Sequence, residues 1–211
     1  MAEDGRQDFV DAVMTPESIH AFWFGAEADD ALVAQHNAAL WWKKDARADD
    51  EIRRRFEPGV QAAARHELDS WSSTAAGCLA LILLTDQFPR NMYRDTPQAF
   101  AFDLLARGWC RQGLQAGLHR LLRPIERVFF YLPLEHSESL ADQEQCIALF
   151  RALLDELDAA RRPAFEGFLD YALRHREVIA RFGRFPHRNR ILGRASTPEE
   201  TAFLAQPGSS F

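Results

Sequence analysis

The chain has 211 residues, a formal net charge of −6 and 47% hydrophobic residues. This length allows one large domain or two small ones, and the apolar fraction is enough to form a full core. The acidic charge argues against general nucleic-acid binding, so we predict no nucleic-acid partner. The N-terminus lacks a signal-peptide core, and the longest apolar run has about nine residues, against roughly 20 in a membrane helix. We therefore expect a soluble, cytoplasmic protein that does not bind membranes.

The cysteine and metal-ligand patterns argue against a disulfide-stabilised protein and against a metal-binding protein. Cys78, Cys110 and Cys146 lie far apart within apolar segments. This distribution is typical of buried free thiols in a reducing compartment and not of a disulfide framework. The sequence has no CxxC pair, no HExxH and no glycine-rich phosphate loop. We predict no metal and no cofactor.

Helix signals follow one another along the whole chain. After an expected loose leader at residues 1–14, Thr15 and Pro16 supply an N-cap and a proline at the first helical position. Pro58 and Pro133 are expected to end helices. The predicted helices span about residues 15–24, 30–41, 50–57, 60–71, 78–85, 97–112, 125–131, 140–157, 163–182 and 198–204. With no strand pattern and no flexible linker, the prediction is an all-α fold with a single helical domain over 15–211.

The stretch CLALILLTDQFPRNMYR, at 78–94, begins with seven apolar residues among eight and then becomes polar. A segment that is apolar on every side is surrounded by other elements, so this helix carries polar groups to one end of the core. FPRN at 88–91 recurs as FPHRN at 185–189, and we predict that the two segments meet and form a site. Asp86 is unfavourably placed against the helix dipole and needs a cationic partner. It is either a carboxylate poised in a pocket or one half of a buried ion pair.

The segment 181–194 holds five arginines and His187 but no acid. Guanidinium groups suit carboxylate and phosphate, which indicates an anion site. The alternative is that Asp86, Glu135, Glu138 and Asp170 pair these arginines internally. The ligand-binding candidates are Arg90, Asn91, Arg94, Arg184, His187, Arg188 and Asn189.

The motif PLEHSE, at 133–138, concentrates ionisable groups. Glu135 and His136, together with Asp86, are the candidate catalytic acid and base groups. The competing interpretation makes His136 a hydrogen-bonded structural histidine. His175 falls on an apolar helix face, which is typical of a core histidine. Arg107 is expected to point outward.

Seven motifs occur in order along the chain: FWFG at 22–25, LTDQFPRNMYR at 84–94, YLPLEHSES at 131–139, DQE at 142–144, RFGRFPHRNRILGR at 181–194, STPEE at 196–200 and PGSSF at 207–211. Together they resemble the bacterial family catalogued as domain of unknown function 924, DUF924, over about residues 16–211. The resemblance implies a tetratricopeptide-like stack of antiparallel helix pairs with a concave face, and it brings no activity. The family pattern usually has an acid where this chain has Ser139, which removes one charge from the predicted site.

Three functions remain open at this point. The leading hypothesis is a binding protein whose arginine-rich pocket holds a small anionic ligand, phosphate or carboxylate, or an acidic peptide terminus. The first alternative is a hydrolase or lyase acting on an anionic metabolite, with Glu135, His136 and Asp86 as acid and base groups. The second alternative is a structural module that binds other proteins. The oligomeric state stays open.

Overall fold

The computed structural model describes residues 14–209, and this part of the chain is helical and contains no strand. The predicted all-α class is confirmed. The predicted leader lies outside the described residues apart from Met14, as does the end of the closing motif at 210–211. The α-helices are α1 (Pro16–Phe24), α2 (Asp30–Trp42), α3 (Ala46–Ala64), α4 (Ala75–Ile82), α5 (Phe88–Met92), α6 (Asp103–Gln115), α7 (Pro124–Glu135), α8 (Leu140–Glu156), α9 (Pro163–Phe182) and α10 (Pro198–Leu204).

Shorter helical segments connect these elements. One π-helical segment, Leu83–Gln87, joins α4 to α5 without a break. The 3-10 segments are Asp69–Ser73, Pro97–Phe100, Leu118–Leu121 and Pro186–Arg188. The single-domain organisation and the tetratricopeptide-like stacking stay predictions.

Helix α4 lies at the centre of the core, as its composition predicts. Every residue from 77 to 89 is buried, and α4 packs against α1, α6 and α7. Because the apolar side chains of α4 cover its whole circumference, neighbours on all sides are needed to remove them from water. The polar segment that follows α4 therefore lies inside the protein and not at the surface.

Two prolines predicted to end helices lie inside them. Helix α3 begins after Asp45, whose side chain accepts hydrogen bonds from two backbone N–H groups, and it continues through Pro58. The separate helix predicted for 60–71 is therefore wrong, since α3 ends at Ala64. Helix α7 likewise continues through Pro133 to Glu135, where the His136 amide donates to Leu132 O at 2.8 Å.

The continuation of α7 decides how the PLEHSE motif is presented. Successive residues of an α-helix point about 100° apart because the helix has 3.6 residues per turn. Glu135 ends the helix and His136 caps it, so their side chains leave the backbone in different directions. The loop predicted for this motif is reduced to the few residues before α8.

Within residues 14–209, no helix combines the length and apolar character that crossing a lipid bilayer requires.

Candidate functional site

The π-helical segment between α4 and α5 positions Asp86. Its wider turn is closed by the Phe88 amide, which donates to Leu83 O five residues earlier. Such turns insert one residue into a helix and often occur at functional sites. Asp86 is fully buried at this turn, and Gln87 beside it is 5% exposed.

The Asp86 carboxylate is held by three side chains. The Nδ1 atom of His136 lies 2.8 Å from Oδ1 and 3.0 Å from Oδ2 of Asp86. Gln87 Nε2 donates to Oδ2 at 2.6 Å, and Arg90 Nη1 lies 3.2 Å from Oδ1. Burial raises the pKa of Asp86, but the positive charge of Arg90 and the interactions with His136 outweigh it and hold the pKa well below its usual range. Asp86 is therefore an ionised acceptor.

His136 is neutral, with its ring oriented by Asp86. Burial and then the charge of Arg90 lower the pKa of His136, and Asp86 only partly offsets them. Since an ionised carboxylate can only accept, the proton of the neutral ring lies on Nδ1. The Nε2 atom then carries the lone pair and points away from Asp86. No residue of the described chain hydrogen-bonds to this Nε2 atom.

Asp103 joins the two repeated FP motifs. Its Oδ1 accepts from Arg90 Nη1 at 2.8 Å, and its Oδ2 lies 3.5 Å from Arg188 Nη1. The predicted meeting of the two segments is observed in this bridge. Asp103 was not predicted from the sequence, because an acid in the first turn of a helix is common and does not by itself indicate a site.

Arg188 is clamped between two aromatic rings. Its guanidinium carbon lies 4.8 Å from the Phe100 ring centre and 4.4 Å from the Phe185 ring centre. Nη1 also donates to His136 O at 3.1 Å. The Nε atom is buried and has no hydrogen-bond partner in the described chain. Burial and the nearby charge of Arg90 lower the pKa of Arg188 to about 10, so it stays cationic at neutral pH.

Asp103, His136 and Arg188 border a cavity of about 310 Å³ between the start of α6, the end of α7 and the loop after α9. The charged and aromatic side chains in its wall are those of Phe100, Asp103, Arg107, His136, Glu138 and Arg188. The wall thus combines an apolar side with a small number of polar groups, the usual composition of a ligand pocket.

Arg107 lines this cavity and does not point away from it. Its Nη1 donates to Ser137 Oγ at 2.7 Å, so the arginine expected to point outward reaches the wall of this cavity. Ser137 in turn donates to Asp142 at 2.6 Å. This bond engages Ser137 with Asp142 and not with His136, so the pair is not arranged as a serine nucleophile and its base.

Of the three catalytic candidates, the structure brings Asp86 and His136 together and separates Glu135 from the cavity. Glu135 lies against His175, with Oε1 3.3 Å from Nδ1. Burial and the charge of Asp86 raise the pKa of Glu135 to about 8. Glu135 is thus protonated at neutral pH, and it is not among the residues that line the cavity.

Most of the predicted anion ligands have acidic partners away from the cavity. Asn91 and Arg94 both donate to Asp49. Arg184 and Asn189 donate to Glu200.

Arg90 lies outside the cavity wall and forms ion pairs with Asp86 and Asp103. The centre of the His187 ring lies 5.6 Å from that of the Phe185 ring. Arg188 is the one ligand-binding candidate that lines the cavity. The predicted internal partner Glu138 does pair with an arginine, Arg194, at 2.8 Å. Asp170 pairs with Arg174 instead. A ligand role for the remaining candidates stays a prediction.

The cavity wall holds two arginines and two carboxylates, and the wider ion-pair network around it holds one more arginine than carboxylate because it includes the half-exposed Arg111. In the described chain, five arginines face four carboxylates: Arg90, Arg107, Arg111, Arg188 and Arg194 against Asp86, Asp103, Glu138 and Asp142. Because His136 is neutral, the whole cluster carries a net charge of about +1 at neutral pH.

Residues 14–209 contain no group of three or more His, Cys, Asp or Glu side chains that could hold a metal ion. The three cysteines are buried free thiols, as predicted. Burial raises the pKa of Cys78 to about 12, so its thiol is not a reactive nucleophile.

A family model described as "Bacterial protein of unknown function (DUF924)" matches residues 19–208. The chain belongs to the DUF924 family. A solved structure of a protein of unknown function from Agrobacterium tumefaciens is similar to it, with 39% identity and a TM-score of 0.70. The similarity covers 84% of this chain and 99% of that one. A search of curated proteins finds no match. For this DUF924 member, the cavity is the feature whose chemistry indicates a function.

Proposed function

We propose that the cavity binds a small molecule bearing one carboxylate or phosphate group, with Arg188 as its anchor. The observation that carries this proposal is the buried Nε of Arg188, which lacks a partner in the described chain. Leaving a buried donor unsatisfied costs about 1–3 kcal/mol, and more when it is charged. A ligand oxygen that accepts from Nε would recover this free energy.

The shape of the guanidinium supports an oxyanion as the ligand. Nη1 is occupied by His136 O and Asp103, whereas no bond to Nη2 is found within 14–209. The Nε and Nη2 groups form one edge with two parallel donors, the arrangement that binds carboxylate or phosphate in a bidentate manner. The rings of Phe100 and Phe185 hold the guanidinium plane in position before a ligand arrives.

Charge and volume limit the size of the ligand. The cavity wall carries two arginines and two carboxylates, which leaves no surplus of positive charge for a ligand with several anionic groups. A volume of about 310 Å³ is at the lower end of the 300–1,000 Å³ that ligand pockets span. Both observations favour a small metabolite over a nucleotide or a long peptide.

Thermal unfolding in the presence of succinate and inorganic phosphate tests this proposal, with chloride at equal ionic strength as the control. A ligand at 100 times its dissociation constant stabilises the folded state by about 2.7 kcal/mol. For a chain of this size, the expected rise in Tm is about 5–10 °C. Arg188→Ala should abolish the rise, and Arg188→Lys should reduce it because lysine has no donor fork.

Arg190 provides the matched control, since it is an exposed arginine of the same loop and does not line the cavity. Arg190→Ala removes the same charge and should keep the full rise in Tm. The proposal fails if neither anion stabilises the protein, or if Arg188→Ala responds like the wild type.

A further inference from the structure

Anion binding by Arg188 leaves the Asp86–His136 pair unexplained, although His136 lines the same cavity. We propose that His136 is a general base, positioned by Asp86, that activates water to hydrolyse a carboxylic ester carrying a second, free carboxylate. This inference rests on the proposed function, because Arg188 would hold the substrate by that free carboxylate. The substrate class is the half-ester of a small dicarboxylic acid.

The orientation of the His136 ring suits a general base. Asp86 is fully buried and is itself fixed by Gln87 and Arg90, so it cannot follow a moving imidazole. A carboxylate bonded to Nδ1 holds a histidine in the tautomer that leaves Nε2 free to take a proton. The hydrogen bond thus selects the form of His136 that acts as a base.

His136 is also accessible from the cavity and bonded to the anchor through its backbone. Its side chain is 15% exposed and borders the cavity, while the carboxylate behind it is 0% exposed. The backbone oxygen of His136 accepts from Arg188 at 3.1 Å, which ties the base to the anchor. A ligand held by Arg188 therefore lies in the same cavity as the imidazole, as proximity catalysis requires.

The proposed step balances with water as the co-reactant. Nε2 of His136 removes one proton from water, and the resulting hydroxide adds to the ester carbonyl carbon. The tetrahedral intermediate then breaks the bond between the acyl carbon and the alkoxy oxygen, and the imidazolium returns its proton to the leaving alkoxide. The products are one alcohol and one carboxylic acid, and Asp86 stays ionised throughout.

Arg107 is the group that can stabilise the transition state of this step. It lines the cavity on the side of Ser137, to which its Nη1 donates, and its side chain is 25% exposed. The negative charge of a tetrahedral intermediate develops on the former carbonyl oxygen, where a fixed positive charge is most effective. Arg188 at the free carboxylate and Arg107 at the ester would give the two arginines separate roles.

The experiment compares monomethyl succinate and monomethyl glutarate with the uncharged ester methyl butyrate, and it follows acid release in a pH-stat. We expect the half-esters to be hydrolysed at least 10-fold faster than methyl butyrate, measured as kcat/KM. General base catalysis contributes about 10²–10⁴-fold, so His136→Gln should lower kcat by 100-fold or more. Asp86→Asn should lower kcat and leave KM unchanged, because Asp86 positions the base and does not touch the substrate.

His20 is the matched control for His136. It also pairs with a carboxylate, Glu126, at 3.3 Å, and it has the same 15% exposure, but it does not line the cavity. His20→Gln should keep full turnover. If His136→Gln keeps more than a tenth of the wild-type kcat, His136 is not the base.

A binding measurement separates this inference from the proposed function. If succinate raises the Tm of the wild type and neither half-ester is hydrolysed faster than in buffer, anion binding stands and the hydrolytic step is overturned. If phosphate raises the Tm and succinate does not, anion binding stands and the half-ester proposal is overturned. If neither anion raises the Tm, both proposals fail together.

A labelling experiment covers the case in which the His136 variant does not fold. Diethyl pyrocarbonate transfers an ethoxycarbonyl group to accessible, neutral imidazole nitrogen. Peptide mass analysis of the wild type should locate this group on His136, and succinate should prevent the reaction. An unmodified His136, or one that succinate does not protect, would overturn the proposal.

Discussion

Glu135 and His175 form a buried contact of two neutral groups, with Oε1 of the acid 3.3 Å from Nδ1 of the imidazole and each side chain 6% exposed. Burial and the charge of Asp86 raise the pKa of Glu135 to about 8. Burial lowers the pKa of His175 to about 3, and its Nδ1 also bonds to Tyr171 O at 2.9 Å. Although the distance would allow an ion pair, both pKa shifts favour the uncharged forms.

Glu135→Gln should become more stable relative to the wild type as pH rises. Between pH 4.5 and about 8 the folded protein keeps a proton on Glu135 that the unfolded chain has lost, so the free energy of unfolding falls with rising pH. Glutamine does not titrate, so the free energy of unfolding of the variant should rise relative to that of the wild type by up to about 1.4 kcal/mol per pH unit. Urea unfolding at pH 5, 6.5 and 8 measures it.

The titration of His175 does not interfere with this comparison. Its pKa is lowered on folding, so stability is lost as pH falls from 6.5 towards 3, in the wild type and in the variant alike. Glu126→Gln is the control, because the pKa of Glu126 is lowered and the group is ionised in both states above pH 5. A difference between Glu135→Gln and the wild type that stays constant from pH 5 to 8 would contradict the prediction.

The sequence predicted the buried helix and its polar end because burial follows directly from composition. The residues from 78 to 85 are nearly all apolar, and such a segment has to be enclosed. The same logic placed Asp86 next to cationic partners, since a buried carboxylate requires them. Arg90 supplies the cationic partner in the structure, and the neutral His136 adds a hydrogen bond.

The composition of the cavity wall was not predictable in the same way. The separation of Glu135 from His136 depends on α7 continuing through Pro133, a residue that usually ends helices. Asp103 and Arg107 reach the wall because α6 packs beside α4, and no local pattern marks that packing. Tertiary contacts, and not helical propensity, decide these positions.

Gly113 is predicted to be essential for the close packing of α6, which carries Asp103 and Arg107. A Cβ atom at Gly113 would lie 2.4 Å from Phe130 Cζ and 2.8 Å from Cys78 Sγ, both in fully buried side chains. Overpacking of this kind costs about 1–3 kcal/mol. Gly113→Ala should therefore lower Tm by roughly 2–12 °C, measured by thermal unfolding.

Gly108 lies on the same helix and serves as the control, because a methyl group added there would have no neighbouring atom within 4 Å. Gly108→Ala should stabilise the protein by up to about 1 kcal/mol, because alanine favours the helical backbone more than glycine does. Equal Tm values for the two variants would show that α6 can move away from α7 without cost.

The Arg94–Asp49 pair is predicted to fix the turn after α5 to α3 and to take no part in ligand binding. Arg94 Nε donates to Oδ2 at 2.6 Å and Nη2 to Oδ1 at 2.9 Å, a forked arrangement with side chains 27% and 13% exposed. In a double-mutant cycle of Arg94→Gln and Asp49→Asn, the coupling energy should be about 0.5–3 kcal/mol. The exposed Lys44–Asp95 pair, at 75% and 60%, should give a coupling near zero in the same assay.

The same variants distinguish the two interpretations of the arginine-rich motifs. Since Arg94 is engaged with Asp49 and does not line the cavity, Arg94→Gln should leave the stabilisation by succinate unchanged, whereas Arg188→Ala abolishes it. If Arg94→Gln instead removed the succinate response while the protein stayed folded, the anion would bind between α3 and α5. The proposed cavity would then be the wrong site. The structure favours the first outcome, because a single guanidinium cannot hold Asp49 by both oxygens and present the same edge to a ligand.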